Sequence, residues 1–192
     1  AVLGTGQSLS QLHLGGGTPT FLSDEQLEHL LLKLQSAFRF VPGGEYAIEI
    51  DPRTVDAERL GRLAAMGFNR ISLGVQDFDP NVQQAVHRVQ SFESVAGLMG
   101  AARDVGFDSI NMDLIYGLPH QTAESFARTL AQVSSLRPER IALYAYAHLP
   151  ERFKPQRRIN DAQLPSGETK LQILQLAIRR LTEAGYVYIG MD

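Results

Sequence analysis

Leu12 and Leu14 run directly into Gly15-Gly16-Gly17-Thr18-Pro19, and a helix signature opens four residues later. An apolar strand end followed by three glycines makes a turn of bare amide groups that a ligand can approach closely. Pro19 fixes the exit direction, and Ser23 with Gln26 three residues on forms a capping box for a helix over residues 24–38. The unit is therefore strand, ligand-sized loop, helix. Neither the six-residue dinucleotide fingerprint nor the Lys-Ser/Thr ending of a P-loop is present, so a nucleotide-phosphate loop is not favoured.

The same plan repeats along the chain. After a break at Pro42-Gly43-Gly44, period-two alternation predicts a strand over 46–51, then a helix over 56–66 stopped by Gly67 and a strand over 70–76. A polar loop over 77–90 carries a short helical piece at 82–87. A helix over 91–105, a strand over 109–115, a helix capped by Thr122 and a strand over 141–147 follow. A loop bearing Arg152, Lys154, Arg157 and Arg158 leads to a helix over 167–184, and 186–189 begins one more strand. Five βα units with short joins call for an α/β fold in which helices cover a parallel sheet. Linkers rich in Ser, Gly or Pro are absent, so residues 1–192 read as a single domain.

The 192 residues, 44% of them hydrophobic, suffice for one sizeable core. A net charge of -3 without a basic stripe disfavours nucleic acid as a partner. With no apolar run of spanning length and no signal-peptide pattern, the expected setting is cytoplasmic, with no membrane partner. The count of cysteines is zero, which removes disulfides, thiolate metal sites and cysteine nucleophiles from these residues.

Parallel βα folds bind ligands at the carboxyl ends of their strands. Polar residues collect there: Gly16, Gly17 and Thr18; Glu49 and Asp51; Gln76 and Asp77; Asp113; His148. Carboxylates in such a place suit a divalent cation, as in barrel lyases and isomerases, and that is one competing reading. His13, His87 and His148 read individually as structural or surface residues, and His29 and His120 as solvated. The basic cluster at 152–158 is either a solvated loop or a clamp for an acidic substrate.

Five stretches carry a family resemblance: Gln11 to Thr20, Ile48-Glu49-Ile50-Asp51-Pro52, Gly74-Val75-Gln76-Asp77-Phe78, Asp113 to Pro119 and Tyr146-Ala147-His148-Leu149-Pro150. In this order they resemble the oxygen-independent coproporphyrinogen III oxidases of the radical S-adenosylmethionine superfamily. A heme-chaperone relative shares the first and third; His87-Arg88-Val89-Gln90, Gln156-Arg157-Arg158 and Tyr188 to Asp192 resemble the oxidases more. The resemblance implies a partial, open, TIM-like (βα)6 barrel with a [4Fe-4S] cluster and two S-adenosylmethionine molecules. It places Gly16, Gly17 and Thr18 at the methionine part of the first cofactor, Glu49 beside the cofactors through hydrogen bonds, and Gln76, Arg88, Asp113 and Ala147 beside the second. The implied reaction converts two propionates of coproporphyrinogen III to vinyls, giving protoporphyrinogen IX, through a 5'-deoxyadenosyl radical and with an electron donor as partner.

The family's cluster is held by a CxxxCxxC loop, which this sequence lacks. The expectation is a fragment: first strand and cluster loop upstream, a further domain downstream, no metal ligand and no catalytic group beyond cofactor-positioning residues. Alone it is expected to be inactive and to expose a parallel strand edge; at full length a monomer is expected.

Overall fold

The computed structural model describes residues 6–190. Its five strands form one sheet whose order follows the sequence. They are β1 (Gln7–Leu14), β2 (Phe38–Ile50), β3 (Arg70–Gln76), β4 (Ser109–Tyr116) and β5 (Arg140–Ala145). The β1–β2 and β2–β3 pairings are parallel, as the βα alternation requires. Helices α1 (Asp24–Ala37), α2 (Ala57–Ala65), α3 (Pro80–Ala85), α4 (Phe92–Asp104), α5 (Ala123–Leu136) and α6 (Gly167–Glu183) fill the connections and follow the last strand. Among the described residues no helix is long and apolar enough to cross a membrane.

The chain gathers into two compact units. One comprises the chain up to Gly74 together with Gly97–Asn111; the other comprises Val75–Ala96 and the chain from Met112 onward. In the first, Leu27, Ile48, Leu60, Leu63, Ile71 and Leu73 are fully buried. In the second, Val75 and Leu114 of the sheet, Phe126 and Val133 of α5, and Ile173 and Ala177 of α6 are fully buried too. Burial of each large apolar side chain contributes about 1.5–3 kcal/mol.

Helix starts follow their caps. Ser23 and Gln26 close the capping box of α1, Asp56 accepts from the Arg59 amide at the start of α2, and Thr122 with Ser125 boxes α5. Asp24, in the first turn of α1, also pairs with Arg59 and Arg62 of α2.

Two expectations are corrected. Pro42-Gly43-Gly44 does not end a segment, because β2 runs from Phe38 to Ile50 through it. Its register against β1 jumps from Leu9↔Phe40 to Gln11↔Glu45, so residues 41–44 form a bulge. Tyr46 closes that bulge by donating its hydroxyl to the carbonyls of Leu9 (3.1 Å) and Val41 (2.8 Å). A Cβ on Gly44 would stand 2.5 Å from the Tyr46 hydroxyl, so the turn accepts only glycine there. The strand expected at 186–189 is not formed, and Val187 and Ile189 are 86% and 85% exposed, with no strand beside them among the described residues. Strand β5 ends at Ala145, which leaves Ala147 and His148 in the loop beyond it.

Asn69 pins the bulge from the side. Its Oδ1 accepts from the Tyr46 amide (2.8 Å) and its Nδ2 donates to the Gly44 carbonyl (2.8 Å). Removing both partners in Asn69→Ala is expected to lower unfolding free energy by about 1–3 kcal/mol. Urea denaturation measures this, and an unchanged midpoint contradicts the bulge-pinning role.

Candidate functional site

In the first unit the glycine turn closes onto Glu49. The Gly16 amide donates to Glu49 Oε2 at 3.1 Å, and His13 Nε2 lies 3.0 Å from Glu49 Oε1. A Cβ on Gly15 would stand 2.5 Å from Glu49 Oε1 and 2.7 Å from His13 Nε2, so the approach depends on its being glycine. Gly16 and Gly17 follow with φ of 82° and 73°. Thr18 lies at the start of a short 3-10 turn, Pro19–Phe21, and its hydroxyl makes no capping bond there. The arrangement offers exposed amides and a hydroxyl for a carboxylate and Glu49 for an ammonium. Gly16, Gly17, Thr18 and Glu49 thus come together, with His13 as the neighbour that sequence reading set aside.

In the second unit the end of β3 is bent sharply at Gln76. The Asp77 amide donates to the Val75 carbonyl at 2.9 Å and Gln76 has φ of 69°, a γ-turn with a non-glycine centre. Such a conformation costs on the order of 1–3 kcal/mol and persists only where the surroundings over-determine it. Here they do. Gln90 Nε2 donates to the Val75 carbonyl (2.7 Å), Gln83 Nε2 donates to the Asp77 carbonyl (2.9 Å), and the Gln90 amide donates to Gln83 Oε1 (3.1 Å).

The Asp77 side chain anchors the other side of the turn. It is 1% exposed and accepts from the Asp79 amide, the Thr129 hydroxyl and Gln121 Nε2. Gln121 in turn accepts from the Gly117 and Leu118 amides and donates to the Ile115 carbonyl. The loops after β3 and β4 are thereby tied to one carboxylate. Burial pushes the Asp77 carboxyl above its ordinary range, against the pull of those donors.

A cavity of about 460 Å³ opens beside this turn, with Gln76, Arg88, Tyr146, Lys154 and Arg158 among the residues that line it. Gln76 Oε1 is buried and has no hydrogen-bond partner among the described residues. A buried acceptor of this kind in a cavity wall has capacity for a donor on a bound molecule or an ordered water. Burial, reinforced by the charge of Asp161, raises the Tyr146 phenol above its usual value. The Tyr146 hydroxyl lies 3.1 Å from His148 Nδ1, and His148 Nε2 lies 2.8 Å from Asp161 Oδ1.

The expected second group is brought together only in part. Gln76 and Arg88 line the cavity; Asp113 sits half-buried on β4 and Ala147 beyond β5, and neither is among the lining residues. Asp51, at the end of β2, is taken by Arg53. Among the described residues no three His, Cys, Asp or Glu side chains are placed to hold a metal ion.

Known proteins identify the family of this chain. The pattern of the Radical SAM superfamily matches residues 3–133. The chain belongs to the radical SAM superfamily. The oxygen-independent coproporphyrinogen III oxidase of Pseudomonas aeruginosa is 54% identical over 188 residues, covering 97% of this chain and 41% of that protein. The oxidase of Escherichia coli K12 is 51% identical over 192 residues, covering 100% and 42%. The chain spans about two fifths of the length of these curated relatives.

The solved structure of coproporphyrinogen III oxidase (HemN) from Escherichia coli superposes with a TM-score of 0.92 at 51% identity, covering 96% of this chain and 43% of that one. Archaeal Elp3 from Methanocaldococcus infernus shares the fold alone, with a TM-score of 0.71 at 17% identity, covering 87% and 44%. The fold is the α/β fold of the radical SAM type. Proteins of this family use S-adenosylmethionine with a [4Fe-4S] cluster, and these 192 residues contain no cysteine to ligate one.

The raised Asp77 carboxyl gives a sign to the pH dependence. The folded state holds this proton more tightly than the unfolded chain, so the group's stability contribution falls as pH rises from the ordinary carboxylate range through the raised value. Asp77→Asn removes that titration and sets the Gln121 amide against another amide. We expect a loss of about 1–3 kcal/mol at neutral pH and a flatter pH profile of unfolding. Urea titrations at a series of pH values test this, and an unaltered profile contradicts it.

Proposed function

We propose that the protein carrying this chain is an oxygen-independent coproporphyrinogen III oxidase, which decarboxylates two propionates of coproporphyrinogen III to vinyls. The observation that carries this reading is the 54% identity sustained over 97% of the chain with an oxidase of that name. When bound, S-adenosylmethionine and a reduced [4Fe-4S] cluster supply the hydrogen-abstracting chemistry.

The chain's own part is to bind and orient. Gly17 and Thr18, in the turn that Gly16 opens, receive the methionine part of one S-adenosylmethionine, and Glu49, already fixed by the Gly16 amide, lies beside it as an acceptor. Gln76, Arg88, Asp113 and Ala147 receive the second molecule. The unpartnered Gln76 Oε1 supports this assignment, because it supplies an acceptor that the protein itself leaves unused. The strained turn aims that amide without further reorganisation on binding. An electron donor is the implied partner, and the cytoplasm the implied setting.

The test uses the natural protein, reconstituted with iron and sulfide under anaerobic conditions and given a reductant, S-adenosylmethionine and coproporphyrinogen III. Protoporphyrinogen and 5'-deoxyadenosine are expected to appear together. Glu49→Ala and Gln76→Ala are each expected to lower kcat by about a hundredfold or more, the scale of losing a preorganised polar contact. Tight heme binding without consumption of coproporphyrinogen overturns the reading in favour of a heme-chaperone relative.

A further inference from the structure

The basic strap after β5 divides into two kinds of cation. Its centre is pinned to its own loop: Gln156 Oε1 accepts from the Leu149 amide (2.6 Å), and Gln156 Nε2 donates to the Ala147 carbonyl (3.0 Å). Arg157 Nε donates to the Pro150 carbonyl at 2.9 Å, so that guanidinium holds the strap in place. Lys154 and Arg158, at the two ends of the same 3-10 turn, are different. Both line the cavity beside Gln76, and neither makes a side-chain hydrogen bond or ion pair among the described residues.

The charge of that cavity is one-sided. Lys154, Arg158 and Arg88 line it, and no Asp or Glu is among its lining residues. Cations facing a shared space repel one another, and their arrangement gains when an anion sits between them. The remaining wall is largely apolar, with Val86, Ile115, Leu118 and Ile159. A rigid strap, two cations at its ends and an apolar wall suit a molecule with an alkylated ring body and acidic side chains.

We propose that Lys154 and Arg158 form a carboxylate clamp that grips a propionate of the tetrapyrrole substrate. The inference rests on the oxidase reading and deepens it by naming substrate-binding residues. S-adenosylmethionine carries one carboxylate, for which Arg88 in the same cavity suffices, whereas the substrate carries several and has use for Lys154 and Arg158. Arg158 offers a planar fork for two parallel hydrogen bonds to a carboxylate, and Lys154 adds a point charge. Both side chains are exposed, so their replacement removes no buried contact.

The test measures binding of coproporphyrin III to the natural protein by fluorescence, beside its tetramethyl ester, which has the same ring without the carboxylates. Lys154→Gln and Arg158→Gln are each expected to weaken coproporphyrin binding by about tenfold, and the pair by about a hundredfold, as for lost charge-assisted hydrogen bonds. Arg158→Lys is expected to retain part of the affinity, and ester and S-adenosylmethionine binding are expected to stay unchanged. Unchanged coproporphyrin binding in the double variant overturns the clamp and leaves the oxidase reading standing. A loss shared equally by the ester or by S-adenosylmethionine also overturns it, since the grip is then not on a substrate carboxylate. Failure of the unaltered protein to bind coproporphyrin at all overturns the clamp, whereas failure of the oxidase reading shows separately as absence of turnover.

Discussion

A single buried carboxylate holds the loops after β3 and β4 in place. Asp77 accepts three hydrogen bonds from groups on different segments, and through Gln121 it reaches the amides of Gly117 and Leu118. Burying a charged group is unfavourable unless its hydrogen-bonding capacity is met, and here several donors meet it. The return is geometric. With the carbonyls on either side of Gln76 also tied down, the network holds that residue in its positive-φ turn. The strain stored in one residue is therefore maintained by interactions that do not involve its side chain, which leaves the Gln76 amide for a ligand.

The first unit solves a similar problem with different means. There the backbone, rather than a polar network, creates the geometry: three glycines let the chain pass within hydrogen-bond distance of Glu49. His13 occupies one carboxylate oxygen and the Gly16 amide the other. Both sites present preorganised polar atoms at strand ends, as expected for a radical SAM protein that orients a cofactor carrying its own chemistry.

Much of this was legible from sequence because the signals are local. Strand β3 was bounded correctly at 70–76, since its apolar run is flanked by Gly67 and by Asp77. The capping residues Ser23 and Thr122 mark two helix starts, whereas Asp56, read as the first helical residue, turns out to be the cap of α2. What failed was non-local. Pro42-Gly43-Gly44 carries a strong turn signature, and only Tyr46 and Asn69 folding back on it turn the stretch into a bulge within β2. The apolar run at 186–189 has strand composition, and composition cannot supply a neighbouring strand. Asp77 looked like a ligand-facing carboxylate at a strand end. The Thr129 and Gln121 donors that bury it stand 52 and 44 residues away in sequence, beyond any periodicity.

The central claim is that the strand ends supply two separate places for S-adenosylmethionine, one at Glu49 and one at Gln76. Its most direct test is the stoichiometry of S-adenosylmethionine bound to the cluster-loaded natural protein, measured by equilibrium dialysis. The account predicts two molecules per chain, falling to one in Gln76→Ala. One molecule per chain in the unaltered protein, or two retained in Gln76→Ala, would contradict it.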